Sequence, residues 1–302
     1  MGYFDMATDP LSQAAERASL CLFLRGDMQI APNSVALIMT DSDLAQPVGR
    51  IPNLAPRWHW LAWVTRVGTQ VVSSPEKPLR HAAILPLGWQ TPASAYPGKS
   101  LLAVDPYTVD DESLIAALRD RKLFAPGAAF DPAQRSFRSE TGEVTIDGPR
   151  DRLVLDTART AGGYARAGES VEAVKGGVKV SVEGADATVW VSSLDRNSIR
   201  DSRRLLVTHL TDLQNTGIQY AEPARQTLQQ WGSLPYLVRA GKAAVSLRLG
   251  SPGKYRVWAL ATGGKRLAEV PSRIEGDALC FTADVGSDPA TGARMMYEVA
   301  VK

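Results

Sequence analysis

The chain has 302 residues, of which 44% are hydrophobic and 22% charged, with a net charge of +2. Such a composition fits a globular protein of about two domains and is too weakly basic to argue for nucleic acid. No apolar run reaches the roughly 18 residues of a membrane span.

The opening MGYFDMATDP lacks the basic region and apolar core of a signal peptide, which leaves the location of the parent protein unknown. TDPLSQAAERASLCLFLRGD predicts a helix, with Asp9 as N-cap, Pro10 in the first turn and Gly26 as the stop. Leu11, Ala14, Ala15, Ala18 and Leu22 make its apolar face. SVALIM predicts a strand, and PRWHWLAWVTRVG a helix that stops at Gly68. Short apolar runs follow at TQVV, AAILPL and LLAV. DDESLIAALRDRKLF predicts another helix, acidic at its start and basic near its end, as the macrodipole favours.

From about Ala125 the period changes to two. EVTI, RLVL, VKVSV, ATVWVSSL, RLLVTHL, AAVSLRL, KYRVWAL, ALCFTADV and RMMYEVAV are nine strand candidates, many separated by Gly and Pro turns. The expected fold class is α+β: an N-terminal α/β segment over residues 1–125, then an antiparallel β-sandwich over residues 126–302.

The stretch ATVWVSSLDRNSIRDSRRLLVTHLTDLQNTG gathers most of the candidate chemistry. Asp195, Ser202 and Asn215 read as turn residues whose side chains bond nearby backbone. His209 is in phase with Leu205 and Val207 and reads as a hydrogen-bonded core histidine rather than a catalytic one. Trp190 and Trp258 sit in strands, where their rings could stack on a sugar or pack against a neighbouring domain. The three histidines and two cysteines form no H-x-x-x-H or C-x-x-C pattern, so neither a metal nor a cofactor is expected. Cys21 and Cys280 read as small buried residues. Arg25-Gly26-Asp27 matches an adhesion tripeptide by letters, but Gly26 is already explained as a helix stop.

One part of the sequence resembles a known family. Ser193, Leu194, Asp195, Ile199, Ser202, Arg204, Leu205, Leu206 and Val207, ending at Asn215-Thr216-Gly217, resemble a motif in the C-terminal β-domains of clan-A-type glycoside hydrolases. FRSETGEVTID and RLVLDTARTAGGY precede it, as where those β-domains open. DPLSQAAERASLCLFLRGDMQIA is similar to the last helix and exit segment of their catalytic (β/α)8 barrel. The resemblance implies that the two catalytic carboxylates lie on barrel strands before this helix, so no catalytic residue is carried onto the chain. It implies a non-catalytic C-terminal portion of a glycoside hydrolase whose partner is the catalytic barrel. In that reading the apolar face of the first helix is left exposed, because the barrel strands it would cover are missing. The alternative is a stand-alone carbohydrate-binding β-sandwich that takes an oligosaccharide through Trp190 and Trp258. Neither reading involves nucleic acid or a membrane.

Overall fold

A computed structural model describes residues 9–41, 59–72, 83–86, 110–286 and 292–302. The fold is mostly antiparallel β-sheet, with two α-helices among the described residues. The chain divides into two compact units, residues 29–149 and residues 1–28 with 150–302. The division sets the first helix with the C-terminal strands, not with the N-terminal half.

In the smaller unit, strand β1 (Ser34–Thr40) lies between β2 (Arg66–Val72) and β3 (Ala83–Pro86), parallel to both. The helix expected over PRWHWLAWVTRVG does not form. Its described part is one 3-10 turn, His59–Trp63, followed directly by β2, and Gly68 lies inside that strand opposite Ala36. Val64, Thr65 and Val67 are β-branched and favour extended backbone, which ends the helical turn early. The LLAV run lies outside the described residues.

The second expected helix forms as α2 (Asp111–Asp120), where Asp110 accepts from the Ser113 amide at 2.7 Å. Leu114 and Leu118 of α2 are buried against Trp60, Leu61, Val64 and Phe137. The ring of Trp60 stacks on Phe130 and Phe137, and its Nε1 donates to Asp111. Phe130 and Phe137 belong to an antiparallel set, β4 (Ala129–Asp131), β5 (Ser136–Arg138) and β6 (Val144–Asp147).

The larger unit begins with helix α1 (Pro10–Phe23), where the Asp9 side chain accepts from the amides of Leu11 and Ser12 as expected. Gly26 takes φ +71, a conformation that glycine adopts without the Cβ penalty. The strands are β7 (Arg152–Asp156), β8 (Thr160–Ala165), β9 (Ser170–Ala173), β10 (Val178–Glu183), β11 (Ala187–Ser193) and β12 (Arg204–Leu210). A smaller set follows, β13 (Leu213–Thr216), β14 (Gln219–Tyr220), β15 (Leu228–Gln230) and β16 (Ser233–Val238). The rest are β17 (Lys242–Arg248), β18 (Tyr255–Leu260), β19 (Arg266–Val270), β20 (Ser272–Glu275), β21 (Ala278–Asp284) and β22 (Met296–Val301).

In this unit one sheet runs β19-β18-β22-β12-β11-β8-β7 and another β20-β21-β17-β10-β9. One apolar cluster draws on both: Val189, Val191, Leu205 and Val207 from the first, Val180, Val245 and Phe281 from the second. The strands β13–β16 and β14–β15 pair separately as two short hairpin sheets. All nine strand candidates are found as strands.

The opposite face of the first sheet carries a second cluster. Ala14 of α1 is buried with Leu206, Leu210, Leu260 and Met296, and Leu11 and Ala15 pack against them. The apolar face of α1 is therefore covered, contrary to expectation, because the outer face of this sheet packs against it. Apolar side chains stay exposed only at its C-terminal end, where Leu20 is 52%, Phe23 68% and Leu24 83% accessible.

Candidate functional site

The hairpin of β11 and β12 joins Val189 to His209 and Val191 to Val207 across its register. Its turn is held by Asp195. The carboxylate accepts from the amides of Arg203 (2.9 Å) and Asn197 (3.0 Å) and from the Ser193 hydroxyl (2.9 Å). Partial burial pushes this carboxyl up, but these amides and the hydroxyls of Ser193 and Ser202 outweigh it and hold the acid below its ordinary range. Ser202 is fully buried; its Oγ donates to the Arg204 carbonyl, and its own carbonyl accepts from the Tyr255 hydroxyl at 2.7 Å. Further along, the Asn215 side chain donates to the Trp231 carbonyl at 2.9 Å. Asp195, Ser202 and Asn215 thus spend their polar atoms on backbone, as their turn positions imply.

His209 is buried, but it is not the hydrogen-bonded core histidine expected from the sequence. Neither ring nitrogen completes a hydrogen bond of good geometry. Burial lowers its pKa to about 4, against a weaker opposing pull from the Ala283 backbone and Asp284.

Trp190 and Trp258 share one face. Val189 and Val191 point into the inter-sheet core, as do Val257 and Ala259, so the two tryptophans point outward from the first sheet. They are separated by β22 and β12, about 14 Å at the usual strand spacing. Between them stands Leu206, which Ala14 of α1 covers. Trp258 packs on that same apolar cluster, and the guanidinium of Arg266 lies 5.1 Å above its ring. Both rings are half-buried. The outer face is thus occupied by the helix between the two rings and by the guanidinium over Trp258.

Four buried carboxylates, Asp27, Glu140, Glu143 and Glu298, were not legible as such in the sequence, and Glu143 accepts from the Gln29 amide at 2.7 Å. Asp27 accepts from Arg25 Nε at 2.8 Å and from the Thr160 hydroxyl at 2.8 Å, and pairs with Arg159 at 3.0 Å. Its side chain is fully buried, and Arg25 also donates to the Ser193 carbonyl. The Arg-Gly-Asp tripeptide is therefore folded onto itself, with its carboxylate closed to any receptor. Glu140 accepts from Asn33, Ala125 and Thr65, four bonds in all. Glu298, 2% exposed, lies between Arg204 and Arg266. Burial raises its pKa, and the two guanidinium groups more than reverse the shift. The signal that could have found Glu298 is the register that brings Arg204 and Arg266 from distant strands beside it, and a single sequence does not carry it; for Asp27 the near partner Arg25 was legible, and the turn residue Arg159 was not.

Each of these acids is consumed by backbone amides, hydroxyls or guanidinium groups, which suits a carboxylate that fixes structure and not one that shuttles protons. Among the described residues no group of His, Cys, Asp and Glu could hold a metal ion. Cys280 is buried and Cys21 half-buried on α1, and both are free thiols. Comparison with known protein families, curated proteins and solved structures finds no match.

Proposed function

We propose that the chain is the non-catalytic C-terminal portion of a glycoside hydrolase, which packs on and supports a catalytic barrel. In this reading the two facing sheets are a β-sandwich, and the parallel strands of residues 29–149 belong to the intermediate α/β region. The observation that carries it is the stretch from Ala187 to Gly217, which holds the β11–β12 hairpin and then β13. Its hydrolase-like motif, from Ser193 to Val207, supplies Asp195 and Ser202, and both bond the backbone of their own turn. The helix that resembles the last barrel helix is tied to the same hairpin through Arg25, and its C-terminal end keeps Leu20, Phe23 and Leu24 open for a larger partner. The stand-alone sugar-binding alternative is less well supported, because Arg266 and α1 occupy the face that Trp190 and Trp258 would offer.

The test is turnover of a panel of aryl glycosides by the purified chain. No hydrolysis above background is expected. Saturable hydrolysis that scales with folded protein would sink the non-catalytic reading.

A further inference from the structure

Beside the turn of the β11–β12 hairpin lies an open cleft of about 480 Å³, lined by Arg200, Asp201, Arg203, Ser251, Lys254 and Tyr255 among others. Its volume is in the range of small-molecule sites. Three cations face one carboxylate. Asp201 is partly spent, since it accepts from the Ser198 hydroxyl at 2.8 Å. No carboxylate lies within ion-pair distance of Arg200, Arg203 or Lys254 among the described residues, whereas Arg204, Arg225, Arg256 and Arg266 of the same unit each meet one.

The walls of the cleft are fixed by backbone hydrogen bonds. Gly250 donates to the Arg200 carbonyl, Val301 to that of Arg203 and Lys302 to that of Lys254. The Tyr255 hydroxyl is held by the Ser202 carbonyl, which locks the aromatic wall. The cations therefore stand on a rigid frame, and a ligand would bear little of the cost of ordering it. Guanidinium groups present paired N–H donors that match the two oxygens of a carboxylate.

We propose that this cleft binds an oxyanion carried by an acidic saccharide, such as the carboxylate of a uronic acid, with Arg200 and Arg203 as its donors and Lys254 as a supporting charge. The anion rests on the cleft alone; that its carrier is a saccharide rests on the proposed function.

The test is calorimetric titration of the full chain with a uronic acid oligosaccharide, a neutral oligosaccharide of equal length and inorganic phosphate. The uronic acid oligosaccharide should bind, more weakly as salt is added, and the neutral one should not. The double variant Arg200→Gln with Arg203→Gln should weaken binding about tenfold or more. It should keep the parent's denaturation midpoint, because both side chains are exposed. Arg17→Gln with Lys179→Gln removes the same charge elsewhere and should leave binding unchanged. Binding by none of the anions, or equal loss in both double variants, would overturn the cleft. Phosphate bound as tightly as the oligosaccharide would overturn the saccharide and leave the cleft standing.

Discussion

At the scale of single residues, the polar side chains of the hairpin act on stability. Asp195 bonds two amides and a hydroxyl, so Asp195→Ala leaves those donors unpaired. The expected loss is about 0.5–1.5 kcal/mol, read as a lower urea midpoint at constant slope. An unchanged midpoint would show that water replaces the carboxylate without cost. His209 gives a pH dependence. Its pKa falls from the ordinary 6.5 to about 4 on folding. Above pH 6.5 both states hold a neutral imidazole. As pH falls from 6.5 to 4 the unfolded chain takes up a proton that the folded chain refuses, so stability drops with falling pH. The gap amounts to on the order of 3 kcal/mol, fully lost below the folded value. His209→Leu should flatten that part of the stability curve, and equal pH dependence in parent and variant would count against a buried neutral imidazole. The turn roles of Asp195 and Ser202 were legible because short polar side chains between two apolar runs have few other partners. The surroundings of His209 were not, because they include Ala283 and Asp284, more than 70 residues away in the chain.

At the scale of elements, periodicity identified the strands whose two faces differ. It missed β8, whose sequence TAGGYA has little to alternate. The reason for its glycines is a close approach of neighbouring backbone. A Cβ on Gly163 would sit 1.9 Å from the Leu153 carbonyl oxygen, and one on Gly162 2.0 Å from that of Val189. Gly163→Ala should therefore cost more than about 3 kcal/mol, because the backbone of β7 must move. Gly168→Ala is the control. That residue has φ +89 but nothing within 4 Å, so only the backbone penalty of about 1 kcal/mol should appear. Denaturation midpoints of the two variants decide it, and a tolerated Gly163→Ala would show that the sheet yields there. The short hairpins β13–β16 and β14–β15 were also missed. Their strands are two to six residues long, and most of their side chains are exposed, so neither face is marked by an apolar row.

At the scale of the whole molecule, the sequence indicated a change from mixed elements to strands near residue 125, but not that the first helix would join the later part. That helix carries only small side chains, Ala14 and Ala18, at its most buried positions, which let it lie close on the sheet. The amides of Ala14 to Ala18 should exchange with solvent nearly as slowly as those of β12, while those past Leu20 exchange faster; uniform fast exchange along α1 would mean that it is not docked. The same economy holds among the described residues, where Asp27, Glu140 and Glu298 are each tied to amides, hydroxyls or guanidinium groups and so fix chain segments. The most direct measurement is turnover of aryl glycosides set beside the denaturation midpoint for the parent, Asp27→Asn, Asp195→Asn and Glu140→Gln. The prediction is lowered midpoints in the three variants and no turnover in any of the four proteins. Turnover in the parent that one variant abolishes at an unchanged midpoint would contradict it and place a catalytic carboxylate in this chain.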